Sequence, residues 1–351
     1  MNLPHKLLVE RLTNHSQALA LPLGRRVGQP GHDVARDYLL KQMKRIDLKP
    51  FRNDSFELCY ELPHPNGGKL TTFTNLVGVI PGRDRALPPI LLGAHYDSVI
   101  DAPCVDDNAT SVAHNLVLAS HYALQPLERD LIIAFFDAEE PPFFLGKTMG
   151  SRRFVEDYCE SMRFAAVIVT DLVGHDANPT DFGLPDTVGT LLPHLKKLVA
   201  VMGSESDATF PGIVEDAARK PKGLRVFSTL HRYIGQVSDH AAFAKAGHPF
   251  LFLSCGQSRY YHTPQDTMDW INFDKLADIT CYIADLVERI DATPADADHT
   301  PADPFDTEIR MLKKALGPIA ITGIRATGFQ IPESREDLDA FIKKVIDGKL
   351  P

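Results

Sequence analysis

Four short, unbroken apolar runs constrain this chain more than any other feature: Ile90 to Ala94, Leu131 to Phe136, Ala165 to Thr170 and Pro249 to Ser254. Their apolar residues do not alternate with polar ones, so each run reads as a strand buried on both faces. Helix-like stretches at about 109–124, 149–160 and 239–247 lie between them. Strands alternating with helices predict an α/β fold with a mixed, largely parallel sheet covered by helices on both faces. Three of the four runs hand over to acidic or histidine-bearing loops at their C-terminal ends, the edge at which open α/β sheets build their sites.

The flanking segments complete this unit. Residues 5–20 read as an amphipathic helix, with His5, Lys6, Glu10, Arg11, Asn14 and His15 set among leucines. That stretch lacks the central apolar run of a signal peptide, and no window approaches the ~18 apolar residues of a membrane span. Gly24 to Gly31 is a basic loop, and Val34, Tyr38, Leu39, Met43 and Ile46 mark one face of a helix over 33–46. Strands are expected at 54–62 and 71–80, joined by a turn at Pro63–Gly68. Phe273 to Ile290 reads as a closing helix. The expected organisation is one α/β domain over 1–292, then a linker and helical extension over 293–351, with short helices at 305–316 and 334–347.

Composition narrows the function. Hydrophobic residues at 44% and charged residues at 24% exclude a largely disordered or coiled-coil chain. The net charge of −9 repels phosphate backbones, so no nucleic-acid partner is expected, and with no apolar span no membrane partner is expected either. The five cysteines are odd in number and widely spaced, without a CxxC pair. They imply neither a disulfide framework nor a zinc ribbon, and a cytoplasmic protein with reduced thiols is expected. The oligomeric state is not legible.

Five clusters carry the chemistry. In His95-Tyr96-Asp97-Ser98 the strand alternation puts Asp97 on the side of His95, where it could fix the imidazole tautomer; a polar strand end without a task is the plainer alternative. Asp106-Asp107-Asn108 precedes a helix, where one aspartate could be an N-cap, although two are more than a cap needs. In Asp137-Ala138-Glu139-Glu140, adjacent glutamates ending an apolar strand are costly to bury without a cation. One could bind metal while the other takes a proton from water. Asp171 ends the third run and, alone, reads as a turn former. The fifth cluster is Ser238-Asp239-His240 with Tyr261-His262-Thr263-Pro264. His240 opens a helix and suits packing or capping, whereas His262 occupies a loop fit for a ligand. Two histidines and at least three carboxylates on one sheet edge suit Zn²⁺, with Co²⁺ or Mn²⁺ also able to bind.

The ordered set HYDS, DDNAT, FFDAEE, GSRRFV, DLVG, SDHAAF and YHTPQDT, over about 90–270, resembles the zinc aminopeptidases with a co-catalytic metal pair, the group that includes the animal glutaminyl cyclases. The resemblance implies a mixed eight-stranded sheet and two Zn²⁺ per chain. Asp107 would bridge the metals, Glu140 and His262 would complete one site, and His95 and Asp171 the other. Glu139 would be the general base, Asp97 the partner of His95, and Tyr261, beside His262, a substrate contact. The implied activity is that of a zinc metallo-aminopeptidase acting on peptides with a free N-terminus. A glutaminyl-peptide cyclotransferase using one zinc is the alternative, and a non-catalytic binding module the third reading. Two departures stand out. Pro141 to Met149 separate the double glutamate from Gly150-Ser151, where many members have a shorter spacing. Asp171-Leu172-Val173-Gly174, followed by Asn178-Pro179-Thr180, is cyclase-like, yet Trp270 is the one tryptophan. His231-Arg232-Tyr233 and Arg259-Tyr260-Tyr261 fall on loops before site motifs and are candidate substrate contacts or solvated loop residues.

Overall fold

The computed structural model describes residues 3–177, 193–220, 223–294, 299–326 and 332–346; Asn178-Pro179-Thr180 lies outside them. Two helices come first, α1 (His5–Leu19) and α2 (Pro30–Ile46). An antiparallel group follows: β1 (Lys49–Pro50), β2 (Glu57–Pro63) and β3 (Leu70–Ile80). Then come β4 (Ile90–His95), α3 (Thr110–Leu124), β5 (Leu131–Phe136), α4 (Gly150–Tyr158) and β6 (Ala166–Thr170). The second half holds β7 (Leu198–Met202), α5 (Phe210–Ala217), β8 (Arg225–Thr229), the single turn α6 (His231–Ile234), α7 (His240–Lys245) and β9 (Phe250–Ser254). Helices α8 (Phe273–Asp291), α9 (Phe305–Ala326) and α10 (Arg335–Ile346) close the chain.

Among the described residues the strands form one sheet in the order β1-β3-β5-β4-β6-β9-β7-β8, with β2 also on β3. Since β1 has only two residues, eight strands make up its body. The pairs β4–β5, β4–β6, β6–β9 and β7–β8 are parallel, whereas β3–β5 and β7–β9 are antiparallel. The sheet is therefore mixed, and its four central strands are the four apolar runs.

Alternation along these strands feeds two cores. Leu92, Ile133, Ile168 and Leu251 face a layer with α1, α3 and α8, while Leu91, Ile132, Val167 and Phe250 face Phe154 of α4 and Phe243 of α7. Burial on both sides explains why these runs carry no polar residue before their last position in the sheet, where His95, Thr170 and Ser254 stand. The tail continues this packing: Met311 of α9 joins the larger core, and Ala315 packs with Leu195 and Leu198. Helix α9 extends past the expected end at residue 316 through an irregular residue at Gly317, which precedes Pro318. The strand expected at 54–62 begins at Glu57, because Arg52 and Ser55 close a tight bridge just before it. Among the described residues no helix is long and apolar enough to cross a membrane.

Candidate metal centre

The parallel register brings the C-terminal ends of β4, β5 and β6 to one edge. His95 is the last residue of β4 and pairs with Phe136, so the turn after Phe136 opens beside it. Asp171 follows β6 directly. The turn before α3 and the loop after β9 fold over this edge with Asp107 and His262.

These side chains converge. His95 Nε2 lies 3.2 Å from Asp107 Oδ1, 3.7 Å from Asp171 Oδ1 and 3.8 Å from Glu139 Oε2. His262 Nε2 lies 3.3 Å from Asp107 Oδ2 and 3.1 Å from Glu140 Oε2. Asp107 thus presents one oxygen to a group with His95 and Asp171, and the other to a group with His262 and Glu140. Ligand atoms of His95, Asp107 and Glu140 all lie within 4.8 Å of one another. Tyr261 stacks on the His262 ring at 3.7 Å between centroids.

Several of these buried atoms lack a hydrogen-bond partner: both nitrogens of His95, His262 Nε2, Asp107 Oδ2, Glu140 Oε1 and Asp171 Oδ1. Buried polar atoms are ordinarily paired, so acceptors and imidazole nitrogens facing one another without donors fit a bound cation. The nitrogen and oxygen donor set fits zinc. The protonation behaviour points the same way. Burial, reinforced by neighbouring carboxylates, pushes the Glu139 and Glu140 carboxyls well above their usual range. Burial also raises Asp171. The His95 imidazole is raised because Glu139, Asp107, Asp171 and Asp97 outweigh its own burial. Asp107 is lowered, the facing imidazoles of His262 and His95 outweighing burial. The raised carboxyls register burial first and neighbouring negative charge second, and the raised imidazole registers that negative charge.

The surrounding hydrogen bonds divide adjacent carboxylates into different tasks. Asp97 Oδ1 lies 3.3 Å from His95 Nδ1, and its two oxygens accept from the backbone N–H groups of Glu139 and Glu140, each at 3.1 Å. It therefore orders the turn bearing both glutamates. Asp137, next to β5, accepts from Thr74 N at 2.7 Å and meets His32 Nε2 at 2.8 Å, so it ties β3 and α2 to that turn. Asp106 accepts from Gly174 N at 2.7 Å and meets His175 Nδ1 at 2.6 Å, holding the segment after Asp171. Asp266 in turn accepts from the N–H groups of Asp106, at 2.9 Å, and Asp107, at 3.1 Å. Neither Asp106 nor Asp107 caps α3, which has no side-chain cap.

The remaining candidates sort plainly. His240 is a packing residue: it is buried, stacks on Phe252 at 4.1 Å, and burial lowers its pKa to about 3. Arg232 and Tyr233 bond to Asp339 of α10. Arg259 lies over Tyr260 and Trp270, whose rings meet at a tilt with centroids 4.2 Å apart. Phe143 of the 141–149 segment packs edge-on against Phe73, while Leu145 lines a 230 Å³ groove with Gln236. Asp239, passed over in the sequence in favour of His240, is fully buried, and burial raises its carboxyl to about 7. Its place beside Ser238, in a motif following a loop, was the available signal. Asp266 and His175 also sit within or beside site motifs, but nothing local distinguishes them as supports.

This arrangement defines the class: an α/β fold with a carboxylate–histidine cluster, suited to a cation, at the sheet edge. The profile of Peptidase family M28 matches residues 75–287, more than half of the chain, and the chain belongs to that family. It is 28% identical over 208 residues to the uncharacterized protein YfbL of Escherichia coli, covering 55% of this chain and 64% of that one. It is 26% identical over 237 residues to leucine aminopeptidase 1 of Leptosphaeria maculans, covering 61% and 53%. The chain thus spans about half to two thirds of the length of these relatives. Among solved structures, a leucine aminopeptidase precursor from Bacteroides thetaiotaomicron has a TM-score of 0.62 at 18% identity, covering 81% of this chain and 97% of that one. A glutaminyl cyclase from the same organism has a TM-score of 0.61 at 18% identity with the same coverage. At this identity the two structures share the fold.

Proposed function

We propose that the protein is a zinc aminopeptidase that removes residues from the free N-termini of peptides, with two metal ions held by His95, Asp107, Glu140, Asp171 and His262. The observation that carries this reading is the division of the Asp107 carboxylate, whose oxygens face different histidines 3.2 Å and 3.3 Å away. A carboxylate so shared suits a metal pair better than a single ion. When bound, the metals would supply Lewis acidity and lower the pKa of water.

The chain's own groups account for the proton movements. Glu139 has no assigned ligand partner, and its carboxylate lies beside His95. It takes the proton of the attacking water and returns it to the leaving amine. Asp97 holds Glu139 and Glu140 in register through their backbone N–H groups. Tyr261, stacked on His262, borders the substrate position. Five free cysteines support a reducing compartment such as the cytoplasm.

The test is metal analysis combined with product analysis. Two zinc equivalents per chain and release of amino acids from aminoacyl anilides are expected. Pyroglutamate formation from a glutaminyl peptide, without amino-acid release, would replace this reading with the cyclotransferase. Absence of both metal and turnover would leave the binding module.

A further inference from the structure

Arg25 lies on the loop between α1 and α2 and is fully buried. Gly24 before it adopts φ +67°, and a Cβ there would collide with the Ile100 and Ala102 carbonyls, so the loop lies flush against the chain that follows β4. The Arg25 backbone N–H donates to Ser98 Oγ at 2.7 Å.

A guanidinium has five N–H donors in one plane, and all five are used. Nε donates to the Tyr96 carbonyl at 2.9 Å. Nη1 donates to Leu19 at 2.8 Å and Pro103 at 2.7 Å, and Nη2 to Cys104 at 2.9 Å and Asp107 at 3.2 Å, all main-chain carbonyls. Burying a cation costs several kcal/mol, and an apolar plug would fill the space more cheaply. The arrangement achieves something a plug cannot. Tyr96 separates His95 from Asp97, and the Asp107 carbonyl belongs to the shared carboxylate residue itself. These two pieces of chain are not in register through the sheet, since Asp107 and Asn108 depart from helical geometry at φ −111° and −134° and lie outside any strand. Arg25 bonds to the main chain of both.

We infer that Arg25 is a positioning residue for the metal centre: through the Tyr96 and Asp107 carbonyls it sets the spacing between His95 and Asp107. The inference rests on the metallopeptidase reading. Lysine keeps the charge but has three donors without the planar fork, so it cannot serve all five carbonyls.

The experiment titrates metal-free wild type, Arg25→Lys and Arg25→Ala with Co²⁺, following the visible absorption of the bound ion. Leu12→Ala, a fully buried core change in α1, is the control for general destabilisation. Thermal unfolding of each metal-free protein is measured in parallel. Both Arg25 variants are expected to lose about 10- to 100-fold in Co²⁺ affinity, the range seen when a partner orienting a ligand is removed. Guanidinium chloride at sub-denaturing concentration should recover part of the loss in Arg25→Ala. Leu12→Ala should lower the melting temperature while keeping wild-type affinity. Wild-type affinity in Arg25→Lys, or a loss equal to that in Leu12→Ala, would overturn the inference. If Arg25→Ala does not fold, the Arg25→Lys titration decides. Wild type that binds no Co²⁺ would sink the metallopeptidase reading and this inference together, whereas equal binding by wild type and Arg25→Lys sinks this inference alone.

Discussion

Charged groups crowd two regions of this molecule, and they are handled in opposite ways. At the sheet edge, Asp107, Glu139, Glu140 and Asp171 are buried, and several of their oxygens find no donor. Around α10 the charges are matched: Arg335 bonds Asp303 and Glu308, and Arg232 bonds Asp339. Most of those groups are partly exposed to water. In the second region each charge is paired, and solvent meets the remaining demand except at the buried Glu308, whose Oε1 finds no partner. In the proposed reading a cation completes the first, because burial makes an unpaired carboxylate costly. Electrostatic satisfaction, more than the number of charges, separates a site from a surface.

The contrast is broken or sharpened most by changes at the buried edge. Glu139→Gln keeps the shape of the carboxylate but cannot accept a proton. Turnover should fall by about 10²–10⁴-fold, typical of losing general acid–base catalysis, with metal content unchanged. Retained activity, measured on anilide substrates, would show that another group is the base.

Removing metal is the next largest perturbation. A ligand present at 1,000 times its Kd stabilises the folded state by about 4 kcal/mol. Chelation should therefore lower the melting temperature and re-addition of zinc should restore it. A chelator-insensitive melting curve would mean that the buried carboxylates are satisfied without a cation.

A third test concerns histidines kept neutral by burial. His114 is lowered from 6.5 to about 3, and its Nε2 lies 2.7 Å from Thr170 Oγ1. His240 is lowered to about 3 as well, by burial foremost. Their folded-state pKa values lie below the unfolded value, so the unfolded chain binds the extra protons. The stability they support is present above pH 6.5 and declines from there towards pH 3. Two such protons give a slope of up to about 2.7 kcal/mol per pH unit. Denaturant titrations at stepped pH should show this slope, reduced by about half in His114→Gln; an unchanged slope would contradict the assignment.

The smallest effect belongs to the paired surface. Asp339→Ala removes the partner of Arg232 and Tyr233, and exposed ion pairs contribute within about 1 kcal/mol. Stability should shift by no more than that, with kcat unaltered. A large loss of turnover would tie α10 to the reaction and erase the contrast.

Much of the fold was legible because its centre is built from strands buried on both sides, which leave unbroken apolar runs. The edge was less so. Leu198–Met202 is as apolar as the central runs, but it follows Leu195-Lys196-Lys197, whose spacing hides where a strand begins. Arg225–Thr229 is polar at both ends, as an edge strand with partial burial allows. Within the site, the clusters at the strand ends were visible as residue types. The tasks of neighbouring residues were not. Asp106 and Asp107 are equivalent by local criteria, yet one holds Gly174 and the other faces the histidines. Arg25 and Arg26 are adjacent basic residues, yet Arg26 is an exposed partner of Asp101, while Arg25 is sealed among five carbonyls.

The amino-acid sequence alone determined the alternation of strand and helix, the edge at which polar chemistry collects and the residue types that collect there. These follow from periodicity and from the cost of burying charge, both of which act over a few residues. Only the folded chain decided which carboxylate turns inward and which braces its neighbour. Those choices depend on contacts such as Asp266 with Asp106, 160 positions apart, which exist only after packing has closed the intervening chain.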